Sequence, residues 1–354
     1  VGHVRTFGFV SAVGAITVLL TLLLIDPIAW IALRSLTGFC FAGSAMIIES
    51  WLNERATNQT RGTIFSLYMS VNLGASMIGQ MLVAVGDPAG YVLFAVSAIL
   101  FCMALVPTAL STAAAPRPLV SSKLRLGLLY RTSPVAMVGC FSVGIANGAF
   151  GTLGPVYGQQ IGLPVGSIAL LMATALLGGA LSQVPLGRLS DTVDRRYVII
   201  VASLLAAAMG AAFQSVHPTD TTLLVCMAIA LGATLYPLYS LNVAHANDFA
   251  APEQFVEVST GLILVYGVGT MIGPTVAAVV MERMNPQALF GFTAMVHVWI
   301  AAHTLHRVTR RRAKPAADRS AYTTMPLPRA STPETAALAQ GDEARDEKGD
   351  RPSE

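Results

Sequence analysis

Gly187-Arg188-Leu189-Ser190-Asp191-Thr192-Val193-Asp194-Arg195-Arg196 decides how the rest of the chain is read. Arg188, Asp191, Asp194, Arg195 and Arg196 crowd charge into a short stretch between two long apolar runs, near 165–186 and 197–214. An apolar run of about twenty residues is long enough to cross a bilayer as a helix. The stretch therefore reads as a short connection between two spans on one membrane face. Its arginines place that face on the cytoplasmic side, where short loops collect Lys and Arg.

The totals agree. Hydrophobic residues make up 54% of the chain and charged residues 12%, and the mean hydropathy is +0.63. A soluble domain carries about 25% charged residues. The chain is an all-α polytopic membrane protein with a polar tail. Cys40, Cys102, Cys140 and Cys226 all lie inside apolar runs at no metal-like spacing, so they read as small buried apolar residues. No cofactor is implied. No G-x-x-x-x-G-K-[ST] occurs, which argues against an ATPase. Neither H-E-x-x-H nor a pair of aspartates within spans is present, which argues against an intramembrane enzyme.

Working outward, four spans precede a linker and six follow it. The first four lie near 7–25, 28–52, 62–85 and 91–110. Residues 111–133 shift to Ala, Pro and Ser with Arg117, Lys123, Arg125 and Arg131, and read as a cytoplasmic linker. Residues 134–305 hold spans near 134–157, 165–186, 197–214, 221–243, 256–281 and 287–305. Residues 306–354 read as a disordered cytoplasmic tail, rich in Ala, Pro, Thr, Glu and Asp. The tail opens on Arg307, Arg310-Arg311-Arg312 and Lys314, a juxtamembrane anchor rather than a nucleic-acid site. Taken alternately, the loops put nearly all Lys and Arg on one side, which places linker and tail on the cytoplasmic side of the inner membrane.

The chain also repeats weakly at an offset of 194. Ser76-Met77-Ile78-Gly79-Gln80 aligns with Thr270-Met271-Ile272-Gly273-Pro274, and Asn53-Glu54 aligns with Asn247-Asp248. The same register pairs Asn72 with Tyr266. Counting back from residue 134 places the start of the first half about 60 residues before Val1, room for two more spans. The expectation is a twelve-span plan of which the first two spans are absent from this sequence.

These patterns carry a resemblance. G-x-L-x-D-x-x-D-R-R resembles the loop signature of the major facilitator superfamily of secondary transporters, except that Asp194 stands where the family usually has glycine. Arg34-Ser35-Leu36-Thr37-Gly38 resembles the family's R-x-x-x-G pattern on its fourth helix. Ile48-Glu49-Ser50-Trp51-Leu52-Asn53 is similar to the E-S-W-L segment of the YcaD-like branch. That similarity continues through Tyr266-Gly267-Val268-Gly269 and Ile272-Gly273-Pro274 and covers most of residues 1–305.

The resemblance implies a fold and roles for single residues. Gly187 would permit a tight turn between two helices. Arg34 is a candidate for proton coupling or the substrate path; the other reading is an arginine snorkelling to the outer interface. Glu49 is a candidate to accept a coupling proton, because desolvation favours the neutral carboxyl; the other reading is an ion pair with a basic group of the signature. An acid at the cytoplasmic end of the family's fourth helix meets the signature's arginine, and the repeat gives that place to Asp248. Asp191, Arg195, Arg196 and Asp248 are thus the expected cytoplasmic gate, with Glu54 the first-half counterpart. Polar and aromatic residues inside spans are the expected cavity lining: Tyr68, Asn72, Asn147, Tyr157, Gln159, Tyr236, Tyr239, Asn242, His245 and Tyr266. Small residues in Gly267-x-Gly269-x-x-x-Gly273-Pro274 suit close helix approach.

The expected function is secondary active transport of a small organic solute by alternating access, coupled to protons. The expected partners are that solute, the proton and the lipid bilayer, with the protein acting as a monomer. The alternative is a non-transporting membrane sensor or an inactive truncated remnant.

Overall fold

The computed structural model describes residues 3–55, 61–87, 89–110, 126–216, 218, 220–250 and 254–310. Among these residues the regular elements are all helices. They run α1 (His3–Leu23), α2 (Pro27–Arg55), α3 (Arg61–Val85), α4 (Val92–Leu110), α5 (Leu126–Thr132), α6 (Pro134–Gln160), α7 (Val165–Thr192), α8 (Arg195–Val216), α9 (Thr221–Leu235), α10 (Pro237–Asn247), α11 (Phe255–Arg283) and α12 (Ala288–Arg310). Among the described residues eight stretches are long and apolar enough to cross a membrane, and two shorter apolar helices, Ser70–Val85 and Val92–Thr108, stand at the third and fourth expected spans. The protein is an integral, multi-pass membrane protein.

Three local expectations are revised. The signature is mostly helix: α7 continues through Gly187, which is buried, to Thr192. The turn is at Val193-Asp194, where Val193 is extended at φ −111° and ψ 170°. Asp194 starts the next helix, its Oδ1 accepting the Arg196 N–H at 3.1 Å. That bond satisfies one of the free N–H groups at the start of α8, as an N-cap does. The reversal is therefore set by a capping aspartate, which accounts for an acid where the family usually has glycine.

The span expected at 221–243 is interrupted at Tyr236, between α9 and α10. Pro237 supplies no N–H to the helical ladder and crowds the preceding turn. The stretch expected as linker ends in α5, which packs on α6 and α11; residues 111–125 and the tail from 311 lie outside the described residues.

The helices respect the repeat. Adding 194 to the first residues of α1 to α4 gives 197, 221, 255 and 286; α8, α9, α11 and α12 begin at Arg195, Thr221, Phe255 and Ala288. The packing follows as well. α1 lies against α2 and α4, as α8 lies against α9 and α12, and α3 runs along α7 to join the two halves.

Small residues hold the second half together. On the α6–α11 crossing, a Cβ on Gly144 would meet the Tyr266 carbonyl, and one on Gly148 would meet the backbone of Thr270. One on Gly269 would meet the Phe141 carbonyl, and one on Gly273 the Ile145 carbonyl. The α7–α9 crossing repeats the device with Gly178 against Ile229 and Gly232 against Ala175. In lipid, where tails are as apolar as side chains, such close packing is a main source of helix association. Below these crossings Phe150, Tyr157, Phe213 and Phe290 form an aromatic core, with Phe213 stacked on Phe290 at 4.4 Å.

Candidate functional site

A cavity of about 660 Å³ opens between the two halves. Its size falls within the range of small-molecule pockets, about 300–1,000 Å³. The first half contributes Val18 from α1, Arg34, Thr37, Gly38 and Phe41 from α2, Asn72, Ser76 and Gln80 from α3, and Ser97 and Phe101 from α4. The second half contributes Asn147 and Gly151 from α6, Met172 and Leu176 from α7, Tyr236 from the α9–α10 break and Tyr266 from α11. Arg34, Asn72, Asn147, Tyr236 and Tyr266 are thus brought to one space. Asn72 and Tyr266, paired by the repeat, face it from opposite halves.

Other expected lining residues stand elsewhere. Tyr157 is fully buried in the aromatic core, edge-on to Phe290 at 4.7 Å. Tyr239 is 1% exposed and backs Tyr266 from behind, their ring centroids 5.1 Å apart. Asn242 donates its amide to the Leu238 carbonyl at 2.7 Å and faces Gly139 on α6. His245 packs on Phe249 near Arg196 and Arg307. These four fill helix interfaces because their side chains point away from the seam between the halves. Gln159 is exposed near the end of α6.

The Tyr157 hydroxyl is buried without a hydrogen-bond partner among the described residues. A buried unsatisfied hydroxyl is a penalty that phenylalanine removes. Tyr157→Phe should leave transport unchanged and stabilise the protein by about 1 kcal/mol. A thermal-unfolding midpoint in detergent that falls instead would show that the hydroxyl has a partner.

Among the lining residues not anticipated from the sequence are three hydroxyls. Thr37, Ser76 and Ser97 each bond a carbonyl of their own helix, on Leu33, Asn72 and Leu93, all at 2.8 Å. A hydroxyl satisfied within its helix is tolerated on any face, so it gives no sign of which face is wet.

Glu49 stands near the far end of α2 from Arg34. Fifteen residues separate them, about 22 Å along a helix. Glu49 is fully buried and accepts a hydrogen bond from the Tyr68 hydroxyl at 2.9 Å. Tyr68 does not line the cavity; Asn72, one turn further along α3, does. The bonded Glu49–Tyr68 pair therefore stands one turn of α3 from Asn72 at the cavity wall.

At the signature end the charges gather around Arg195, which is 1% exposed. Its guanidinium donates to Asp191 at 2.7 Å, to Asp248 at 2.9 Å and to the Ala244 carbonyl at 2.7 Å. A cation at a helix N-terminus opposes the helix dipole, so these acceptors are what hold it there. Arg196 is held separately, its guanidinium forked onto both Asp194 oxygens at 2.6–3.1 Å. Through these bonds the cluster ties α7, α8 and the end of α10, all of the second half, to one another. The Glu54 side chain lies outside the described ones. Among the described residues no three His, Cys, Asp or Glu side chains gather as metal ligands would.

A helical membrane bundle with a cavity between two repeat-related halves has known counterparts. The model of the Major Facilitator Superfamily matches residues 136–338, more than half of the chain. The chain belongs to the major facilitator superfamily. It is similar to the protein named "Uncharacterized MFS-type transporter YcaD" from several enteric bacteria. The Escherichia coli protein is 28% identical over 277 residues, which cover 76% of this chain and 69% of the relative. The Escherichia fergusonii protein is 27% identical over 301 residues, 83% of this chain and 76% of the relative. The Salmonella typhimurium protein is 27% identical over 277 residues. As a major facilitator the chain is a membrane transporter and not an enzyme.

Proposed function

We propose that this major facilitator moves a small organic solute through the central cavity by alternating access, driven by a proton gradient. The observation that carries the reading is the cavity itself: both halves wall it, so rocking one half against the other changes which side reaches it. The α3–α7 contact is where the halves slide. The Arg195 cluster makes α7, α8 and α10 move as one body, so that the signature end of the second half closes on the first half as a unit while the opposite end is open. The protein works as a monomer in the inner membrane, with the signature end, the linker and the tail in the cytoplasm. Glu49 is the proton site, and its hydrogen bond with Tyr68, one helical turn from the cavity-lining Asn72, links its charge state to the occupant of the cavity. A carboxyl buried among apolar helices is costly when ionised, which favours a functional role for it.

The test uses proteoliposomes holding the full chain, a labelled solute pool and an imposed pH gradient. The wild type should accumulate solute against its gradient. Glu49→Gln keeps an acceptor for Tyr68 but cannot cycle a proton. It should abolish accumulation while solute exchange without a pH gradient stays within about threefold, since exchange crosses the same barrier. Accumulation that survives in Glu49→Gln would rule Glu49 out as the proton site.

A further inference from the structure

We propose that the cavity selects a small organic anion, a carboxylate with an apolar body and one further hydrogen-bonding group. This rests on the cavity being the transport site. The chemistry of its wall points one way. Among the described residues Arg34 is the charged one that lines it, and no described Asp or Glu does. An arginine inside a span calls for a counter-charge, and none of the described lining residues supplies one. A cationic solute would meet uncompensated repulsion there, whereas a carboxylate matches the planar guanidinium fork with two parallel hydrogen bonds.

A second, independent feature is on the opposite wall. Asn147 on α6 is 4% exposed and faces the cavity, yet neither its Oδ1 nor its Nδ2 has a hydrogen-bond partner among the described residues. Buried amides are almost always bonded, so an orphaned one in a binding site marks where a ligand's polar group goes. A side-chain amide both donates and accepts, so it suits a ligand amide or hydroxyl. Phe41, Phe101, Met172 and Leu176 supply apolar surface for the body in between. Arg34 on one half and Asn147 on the other would hold the two ends of one molecule. That lets an anion of the right length draw the halves together.

The experiment compares matched ligands on one skeleton: N-acetylphenylalanine, its neutral amide, and the cationic phenylalaninamide, with equivalent sets built on leucine, tryptophan and phenyllactate. Binding to the purified full chain in nanodiscs is read as thermal stabilisation, and counterflow is read separately in proteoliposomes. The expected result is stabilisation by carboxylates alone. Affinity should fall at least about tenfold in Arg34→Gln and in Asn147→Ala, and less in Arg34→Lys, which keeps the charge but not the fork. The unliganded midpoint of each variant shows whether it folds, and Arg34→Lys tests the site even where Arg34→Gln does not fold. Stabilisation by the amine or the amide, carboxylate binding unchanged in Arg34→Gln, or no response to any carboxylate would each overturn the anion assignment. Carboxylates that bind but never exchange across the membrane would leave the ligand class standing and remove the transport reading. Counterflow of an amine would do the reverse.

Discussion

Asp248→Asn should leave the protein destabilised by about 3–5 kcal/mol, because it strands a buried guanidinium. Arg195 is 1% exposed and the Asp248 side chain 4%, so water cannot replace the lost carboxylate. Asp191 remains as a partner, but its side chain is 38% exposed, and much of its field is screened. Arg195→Ala should be as damaging, since it leaves Asp248 buried and removes the donor to the Ala244 carbonyl. In detergent both variants should unfold several degrees below the wild type, and both should transport at a small fraction of its rate.

The exchange of charges separates a pair from two unrelated requirements. In the double variant Arg195→Asp, Asp248→Arg the ion pair can re-form in reverse. Its recovery should be partial for a reason visible in the structure: residue 195 meets Asp191 directly across the α7–α8 turn, and two carboxylates that close repel. Adding Asp191→Asn should therefore recover more than the double variant does. Losses in the double that equal the sum of the two single losses would mean that the residues act independently. The pairing, and the proposal that this cluster makes the signature end of the second half move as one body, would then fall together.

How much of this was legible in the sequence depends on the physics behind each feature. Spans declare themselves by length and apolarity, and α1 to α4 and α6 to α12 stand close to the expected runs. The offset of 194 was visible in a handful of residues, and the helix starts repeat it because each half is built of equivalent spans. The direction in which a side chain points was far less legible. A membrane helix is apolar on every face, so its periodicity does not reveal the side that meets the cavity. Tyr157, Tyr239 and Asn242 look like cavity residues for that reason, while Thr37, Ser76 and Ser97 look like ordinary helix residues. The turn was misplaced because Gly187 suits a turn in isolation. What decides its position is the bond from the Arg196 N–H to Asp194, which depends on where α8 begins.

Gly273→Leu should abolish folding of the carrier, while Gly267→Leu, less than two helical turns earlier on α11, should be tolerated. Both replace a glycine inside a helix with a good helix former, which on propensity alone favours the folded state by about 1 kcal/mol. Their surroundings differ. Nothing lies within 4 Å of a Cβ built on Gly267, whereas one on Gly273 runs into the carbonyl of Ile145 on α6. The obstacle is backbone rather than a flexible side chain, so it cannot turn aside; the helices must separate. Separation also breaks the neighbouring contacts of Gly144, Gly148 and Gly269, so the loss exceeds the about 1–3 kcal/mol of an ordinary overpacked core. The measurement is the monodisperse fraction of detergent-extracted protein on size exclusion. Gly273→Leu should give less than about one-tenth of the wild-type peak and Gly267→Leu should stay within about twofold, as a factor of ten corresponds to only about 1.4 kcal/mol. Equal recovery of the two variants would mean that α6 and α11 do not cross as closely as the structure has them.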